Sequence, residues 1–348
     1  LRYQKVHLAS IGYELAPNVI TSAAIERRLA PVYEKLGMPF GQIEMLTGVR
    51  ERRYWDDHDP QSLGDHAAVA AHRALEIAQV TPADIGMVLY CGVCRENLEP
   101  ATACTVADRL GVGGAAIVHD VSNACLGLLN GVFQVANAIE LGQVRAGLVV
   151  SCESARQIVD LTIKRMLEQP NLATVRDAIA TMTGGSGAAA VVLTDDMLGR
   201  RRRRILGGVI RSAPQFRGLS HWGPDSGVPS SSPQVMVTDA ARTMQEGVKL
   251  GVETYHAFLE ELEMPHGALD RVICHQVGAP HRTTVLQSVE IPLERDFSTF
   301  EFLGNIGTVS LPLTAAIADE RGFLDPGHRV GFFGIGSGLN CLMLGIEW

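Results

Sequence analysis

The sequence predicts an α/β protein made of two similar α/β halves. Three observations carry this. Short apolar runs of strand length alternate with longer segments of helical periodicity. Two pairs of distant segments share one layout: TPADIGMVLYCG resembles HGALDRVICHQVG, and NAIELGQVRAGLVVSCES resembles AIADERGFLDPGHRVGFFGIGSG. Each is a helix, a short polar turn and a buried strand ending in a polar or Gly-rich loop, the signature of an internal duplication. The chain is also 46% hydrophobic with 36 glycines in 348 residues, which fits an α/β protein rather than a disordered or fibrous one.

The elements follow in order. SLGDHAAVAAHRALEIAQV (62–80) is Ala-rich with helical periodicity, and Ser62 is placed to cap it. MVLYC (87–91) and AAIVHDV (115–121) read as strands, NGVFQVANAIELG (130–142) as a helix, and AGLVVSC (146–152) as a strand. Residues 156–182 read as a mostly helical insertion, and AAAVVL (188–193) as a strand. The second half repeats this grammar. A long helix at 238–264 precedes the strand RVICHQ (271–276), and a helix near 311–320 precedes the strand RVGFFGIG (329–336).

The halves, 1–198 and 199–348, are expected to meet near 195–205, where Arg200 to Arg204 stand in a row. That run reads as a solvated connection, or else as a contact for phosphate or a carrier protein. SGVPSSSPQ (226–234) reads as a loop.

The net charge of −8 disfavours general nucleic-acid binding. No apolar run reaches the roughly 18–20 residues of a membrane span. The start, LRYQKVHLAS, lacks a basic segment followed by a long apolar stretch, so no secretory signal is expected in it, and the missing initiator Met points to a trimmed start. The seven cysteines are odd in number and scattered, as reduced thiols in a cytoplasm would be. Cys91 and Cys94 form a CxxC, but no second one completes a zinc site, and both read as strand-end packing residues.

Chemistry is expected beyond the carboxyl ends of the strands. Cys125, in VSNACLGLLNG, follows a predicted strand and opens a predicted helix, whose N–H groups and dipole lower a thiol pKa. Taken alone, a cysteine in an apolar stretch reads as core. His275 closes a buried strand, and Asn305 sits in the Gly-flanked loop LGNIG. Alone, these read as a core histidine and a turn residue. Together with Cys125 they make a Cys/His/Asn set. GIGSGLN (334–340) follows a strand, and its backbone N–H groups suit a developing oxyanion.

In their order and spacing, DVSNACLG, ICHQVGAPH, GNIGTVSLP and GIGSGLN resemble the condensing enzymes of the thiolase fold, most nearly the ketoacyl synthase III branch. TGVRERRYW (47–55) and TGGSGAAAVVL (183–193) fit that branch too, and the resemblance spans essentially the whole chain. It implies the thiolase fold, with duplicated halves layered α-β-α-β-α, and a homodimer. It implies that Cys125 carries an acyl group as a thioester. His275 and Asn305 are implied to hold the carbonyl of the second substrate as it becomes an enolate. The backbone N–H groups of Cys125 and Ser337 are implied to form the oxyanion hole. No metal or redox cofactor is expected, CoA thioesters being the substrates.

Departures from the fatty-acid-initiating type point to a member. Gln42 and Leu46 stand where that type carries a Trp and an Arg that clamp the CoA adenine. Leu303-Gly304-Asn305 replaces its His-Gly-Asn. Glu99 stands where it has an apolar residue on a loop that crosses into the partner's acyl pocket. A glutamate 26 residues before the nucleophile resembles the OleA-type condensing enzymes of olefin biosynthesis, which join two long-chain acyl-CoAs without decarboxylation. A malonyl substrate makes its carbanion by losing CO₂. An ordinary acyl-CoA must lose an α-proton, and a carboxylate in an apolar pocket suits that task. Glu99 by itself reads as a surface loop residue.

The expected reaction is head-to-head Claisen condensation, with an acyl carrier protein or downstream olefin-pathway enzymes as further partners. The alternative is a decarboxylating ketoacyl synthase III using malonyl-carrier protein. A degradative thiolase needs a second cysteine where Gly334 stands, and Cys341 lies beyond that loop. A polyketide-type synthase shares the GIGSGLN loop. A non-catalytic acyl-binding subunit would be expected to have lost the nucleophile.

Overall fold

The structure, a computed structural model, describes residues 1–198, 203–223 and 235–348. The chain begins β1 (His7–Leu15), β2 (Asn18–Thr21), α1 (Ser22–Arg28), α2 (Ala30–Leu36), α3 (Gln42–Thr47) and β3 (Glu51–Tyr54). Next come α4 (Leu63–Ala78), β4 (Met87–Tyr90), α5 (Thr102–Leu110), β5 (Ile117–Asp120), α6 (Gly127–Glu140) and β6 (Ala146–Glu153). Then follow α7 (Arg156–Glu168), α8 (Leu172–Ala178), β7 (Gly187–Thr194), β8 (Arg203–Ser212), β9 (Ser220–Gly223) and β10 (Val235–Thr238). The last elements are α9 (Ala240–Glu261), β11 (Arg271–Cys274), α10 (Ala279–Ser288), α11 (Phe300–Leu303), α12 (Ser310–Glu320), β12 (Arg329–Gly336) and β13 (Asn340–Glu347).

Nine strands are linked in the order β11-β12-β13-β8-β1-β7-β6-β4-β5. From β1 the pairing runs antiparallel to β7 and on to β6, then parallel to β4 and β5. From β8 it runs antiparallel to β13 and on to β12, then parallel to β11. The senses repeat, and a short antiparallel pairing of β1 with β8 joins the two sets.

α6 and α12 form the middle layer. Ser310 to Ala318 of α12 are all buried, and α6 is buried except for a few positions. Both helices share one apolar cluster with side chains of β1, β6, β7, β12 and β13. A helix with apolar contacts nearly all round belongs between two sheets. α4 covers the outer face of the first strand set, and α9 covers that of the second. The result is the layered α-β-α-β-α thiolase fold.

Local sequence explains the close approaches. Ser62 caps α4 through a reciprocal box: its Oγ accepts from Asp65 N at 3.2 Å, and Asp65 Oδ2 accepts from Ser62 N at 3.0 Å. The alanine face of α4 then lies directly on β1, where Ser10 Oγ donates to the Ala74 carbonyl at 2.6 Å. A Cβ on Gly12 would run into the Ala70 carbonyl and the Ala74 amide.

Two expectations are corrected. The helix expected from residue 130 begins at Gly127, a turn earlier. The arginine run is not a purely solvated connection: Arg203 and Arg204 belong to β8. Arg203 is buried, pairs with Asp319 at 2.6 Å and lies 4.0 Å over the Trp348 ring, while Arg204 pairs with Glu347 at 2.9 Å. Arg200 to Arg202 and the 226–234 loop fall outside the described residues.

Gly12→Ala is expected to destabilise the protein by about 1–3 kcal/mol, because rigid backbone must move to admit the methyl group. A fall in the denaturant midpoint relative to the parent checks this.

Candidate active site

Cys125 sits in the tight turn between β5 and α6. Ala124 before it takes a left-handed conformation at φ 44°, and Leu126 N donates to the Asn123 carbonyl at 2.9 Å. A non-glycine residue held there costs energy that the surrounding packing must offset, a feature that concentrates at functional sites. The C-terminal end of β12 lies against this turn. A Cβ on Gly336 would sit 3.5 Å from Cys125 N and 3.2 Å from the Leu126 side chain.

A cavity of about 280 Å³ opens beside the turn, and Cys125, Asn305 and Ser337 all line it. Asn305 follows α11. Its backbone N–H donates to the Thr183 carbonyl and its own carbonyl accepts from Gly185 N, both at 2.9 Å. Its Oδ1 accepts from Gly307 N at 3.0 Å, which leaves the Nδ2 donor for the cavity. Thr308 Oγ1, in the same loop, accepts from Leu128 N of α6 at 2.6 Å, tying the Asn305 loop to the start of the helix after Cys125.

His275 follows β11, is 5% exposed, and donates its backbone N–H to the Phe333 carbonyl at 2.8 Å. It does not line this cavity. Its Nδ1 has no hydrogen-bond partner among the described residues. Burial, reinforced by the neighbouring His281, pushes its pKa down to about 3. Burial likewise takes His281 down to about 4. Both imidazoles are therefore neutral at physiological pH, and each retains one N–H donor.

The thiol reverses an expectation. Burial and the adjacent Glu153 charge push Cys125 up to about 12, rather than down. The helix starts two residues later than Cys125, and one of its first-turn amides is already taken by Thr308. The resting Cys125 side chain is a thiol.

Glu99 lies outside this cavity. It is exposed on the loop between β4 and α5, next to a cis Glu99–Pro100 bond. Gln42 and Leu46 lie on α3, also away from the cavity wall. Cys91 is fully buried against α6 glycines, and Cys94 Sγ donates to the Ser154 carbonyl at 3.5 Å.

Two contributors were not foreseen. Glu153 ends β6, is 4% exposed and lines the cavity. A carboxylate directly after the apolar run AGLVVSC was the available signal. The β9–β10 hairpin supplies Ser220, His221, Trp222 and Met236 to the wall, with no sequence signal beyond its aromatic residue.

Family models for 3-oxoacyl-[acyl-carrier-protein] synthase III match residues 119–214, and residues 259–348 for its C-terminal part. An acyl-CoA:acyl-CoA alkyltransferase of Shewanella oneidensis is 49% identical, with all of both chains covered. The chain belongs to the acyl-CoA:acyl-CoA alkyltransferase family. A second member, from Xanthomonas campestris, is 35% identical over 99% of each chain. The crystal structure of cerulenin-bound OleA from Xanthomonas campestris superposes with a TM-score of 0.93, at 34% identity, covering 100% of this chain and 98% of that one. Other structures of that alkyltransferase carry a replaced cysteine, a replaced glutamate and a replaced histidine.

Neutral buried histidines make the fold acid-sensitive. Below about pH 6.5 the unfolded chain binds protons that folded His275 and His281 refuse until about pH 3–4, so their contribution to stability falls as pH drops. His275→Asn is expected to gain stability relative to the parent as pH falls from 6.5 to 4. Denaturant melts of both proteins across that range check the sign.

Proposed function

We propose that the chain joins two long-chain acyl-CoA thioesters head to head, without decarboxylation, through an acyl group carried on Cys125. The observation that carries this reading is the shared cavity wall of Cys125, Asn305 and Ser337 in a chain of the alkyltransferase family.

The Cys125 sulfur attacks the first thioester carbonyl and CoA leaves as its thiol, carrying the proton lost by Cys125. The tetrahedral oxyanion faces the N–H groups of Cys125 and Ser337. Glu99 of the partner subunit removes the α-proton of a second acyl-CoA. Neutral His275 and the Asn305 amide donate to the enolate oxygen. The α-carbon attacks the Cys125 thioester and expels the thiolate, giving a 2-alkyl-3-ketoacyl-CoA that hydrolyses to the β-keto acid. No step calls for a metal or redox cofactor.

Glu99 serves this scheme only in a homodimer, and the sheet edge supports one. β5 ends the nine-stranded sheet with an open edge, and its Ile117 is 44% exposed. Unpaired edges of this kind invite a second strand. Asp120 at the end of β5 accepts from the first amides of α5, so the Glu99 loop stands on the same border. In the Xanthomonas variants, the replaced glutamate and cysteine are separated by as many positions as Glu99 and Cys125 are here. Seven free cysteines fit a cytoplasmic location, and among the described residues no helix is long and apolar enough to cross a membrane. An acyl carrier protein or downstream olefin-pathway enzymes would complete the set of partners.

With myristoyl-CoA as sole substrate, CoA release together with a C27 ketone or its β-keto acid precursor is expected. CoA release without coupled product, and condensation only on adding malonyl-carrier protein, would replace this reading with ketoacyl synthase III chemistry. Cys125→Ala is expected to abolish covalent acylation, read by intact mass. Glu99→Ala should keep acylation and lower condensation about 100-fold or more; condensation at the parent rate would remove Glu99 as the base.

A further inference from the structure

Three carboxylates hold the loop that carries Glu99, and the Tyr90 hydroxyl also donates to the Cys94 carbonyl at its root, at 2.7 Å. At its root, Glu153 Oε1 accepts from Val93 N at 2.9 Å and Oε2 from Cys94 N at 3.1 Å. Further on, Glu96 Oε1 accepts from Gly64 N at 2.8 Å and its Oε2 from Thr105 Oγ1 at 2.7 Å. At its far end, Asp120 accepts from Thr102 N and Ala103 N, both at 2.9 Å. Between these fixings Arg95 and the tip, Asn97 to Pro100, are exposed. Of the three anchors, Glu153 alone lines the nucleophile's cavity.

We propose that Glu153 is a positioning residue whose carboxylate clamps the root of this loop, and so sets the delivery of Glu99 to the partner subunit's cavity. The proposal rests on the reading of Glu99 as the base. Both Glu153 oxygens act as acceptors, which the ionised carboxylate does best. Among the described residues its partners are those two amides, with the Cys94 thiol beside them, all donors in a buried site, so protonation weakens the grip. Burial holds this carboxyl up to about 7, against the lowering effect of the two amides. The titratable groups that feel its charge are Tyr90 of β4, Cys94 of the loop, Cys152 of β6 and Cys125, and burial keeps all four neutral. The clamp therefore tightens as pH rises through about 7 and loosens as it falls. Loosening leaves the acylation of Cys125 in place and misplaces Glu99.

Glu153→Gln keeps one acceptor and loses the other, together with the charge. The expected signature is a split, in which acylation of Cys125 by myristoyl-CoA changes less than condensation does. The kcat for condensation should fall about 10- to 100-fold with KM little changed, as expected for a displaced catalytic group. The parent's loss of condensation below pH 7 should vanish in the variant. In a Glu99→Ala background, Glu153→Gln should add no further loss of condensation. In the parent, hydrogen exchange of the 91–101 segment, corrected for intrinsic rates, should speed up as pH falls from 8 to 6.

Condensation by Glu153→Gln within twofold of the parent, parallel loss of acylation and condensation, or exchange of 91–101 that ignores pH would each overturn the clamp. Normal condensation by Glu99→Ala would instead overturn the Glu99 reading itself. Loss with Glu99→Ala but not with Glu153→Gln would overturn the clamp alone.

Discussion

The contact between the Cys125 turn and the end of β12 is the constraint around which the site is built. Gly336 has no side chain, so the strand end lies against the Cys125 amide and the Leu126 side chain. That approach places Ser337 in the same cavity wall as Cys125, although 212 residues separate them in the chain. It also requires α6 to stay where it is, and α6 is fixed by burial between the two strand sets and by the Thr308 cap. A bulkier residue at 336 would push against α6, whose own packing leaves little room to yield.

Burial then sets the charge state of the site. The Cys125 thiol is pushed up, His275 and His281 are pushed down, and Glu153 is held near neutrality. Each shift has the same leading cause, which is the cost of keeping a charge away from water. The result is a site with little fixed charge, lined by hydrogen-bond donors. In the proposed reaction, negative charge forming on a thioester or enolate oxygen would meet N–H groups already in place, with little reorganisation. The acid–base group of the proposed reaction stands elsewhere, on an exposed loop with its own set of anchors.

In the proposed reaction the Glu99 loop would link chemistry to assembly. Its anchors are carboxylates that accept from backbone amides, a geometry that holds a short segment without a large apolar contact. The tip and the open edge of β5 share one border through Asp120. A second copy covering that edge would therefore meet the tip as well.

Sequence by itself determined many of the elements and the places of the motifs that meet at the cavity. Periodicity located α4 with its Ser62 cap, and the apolar runs located β4, β6, β7, β11 and β12, because those patterns record which faces are buried. The ordered motifs around Cys125, His275, Asn305 and Ser337 were legible for the same reason: each closes a strand or opens a turn. Tertiary structure alone decided three matters. It set the direction of the Cys125 shift, since the dipole of a helix is a local property while desolvation depends on everything packed around the thiol. It brought Glu153 and the β9–β10 hairpin into the cavity wall, a neighbourhood made by strand order and chain crossing rather than by spacing. It placed Arg203 against Asp319 and Trp348, where a run of arginines reads only as charge until its partners from distant segments are packed beside it.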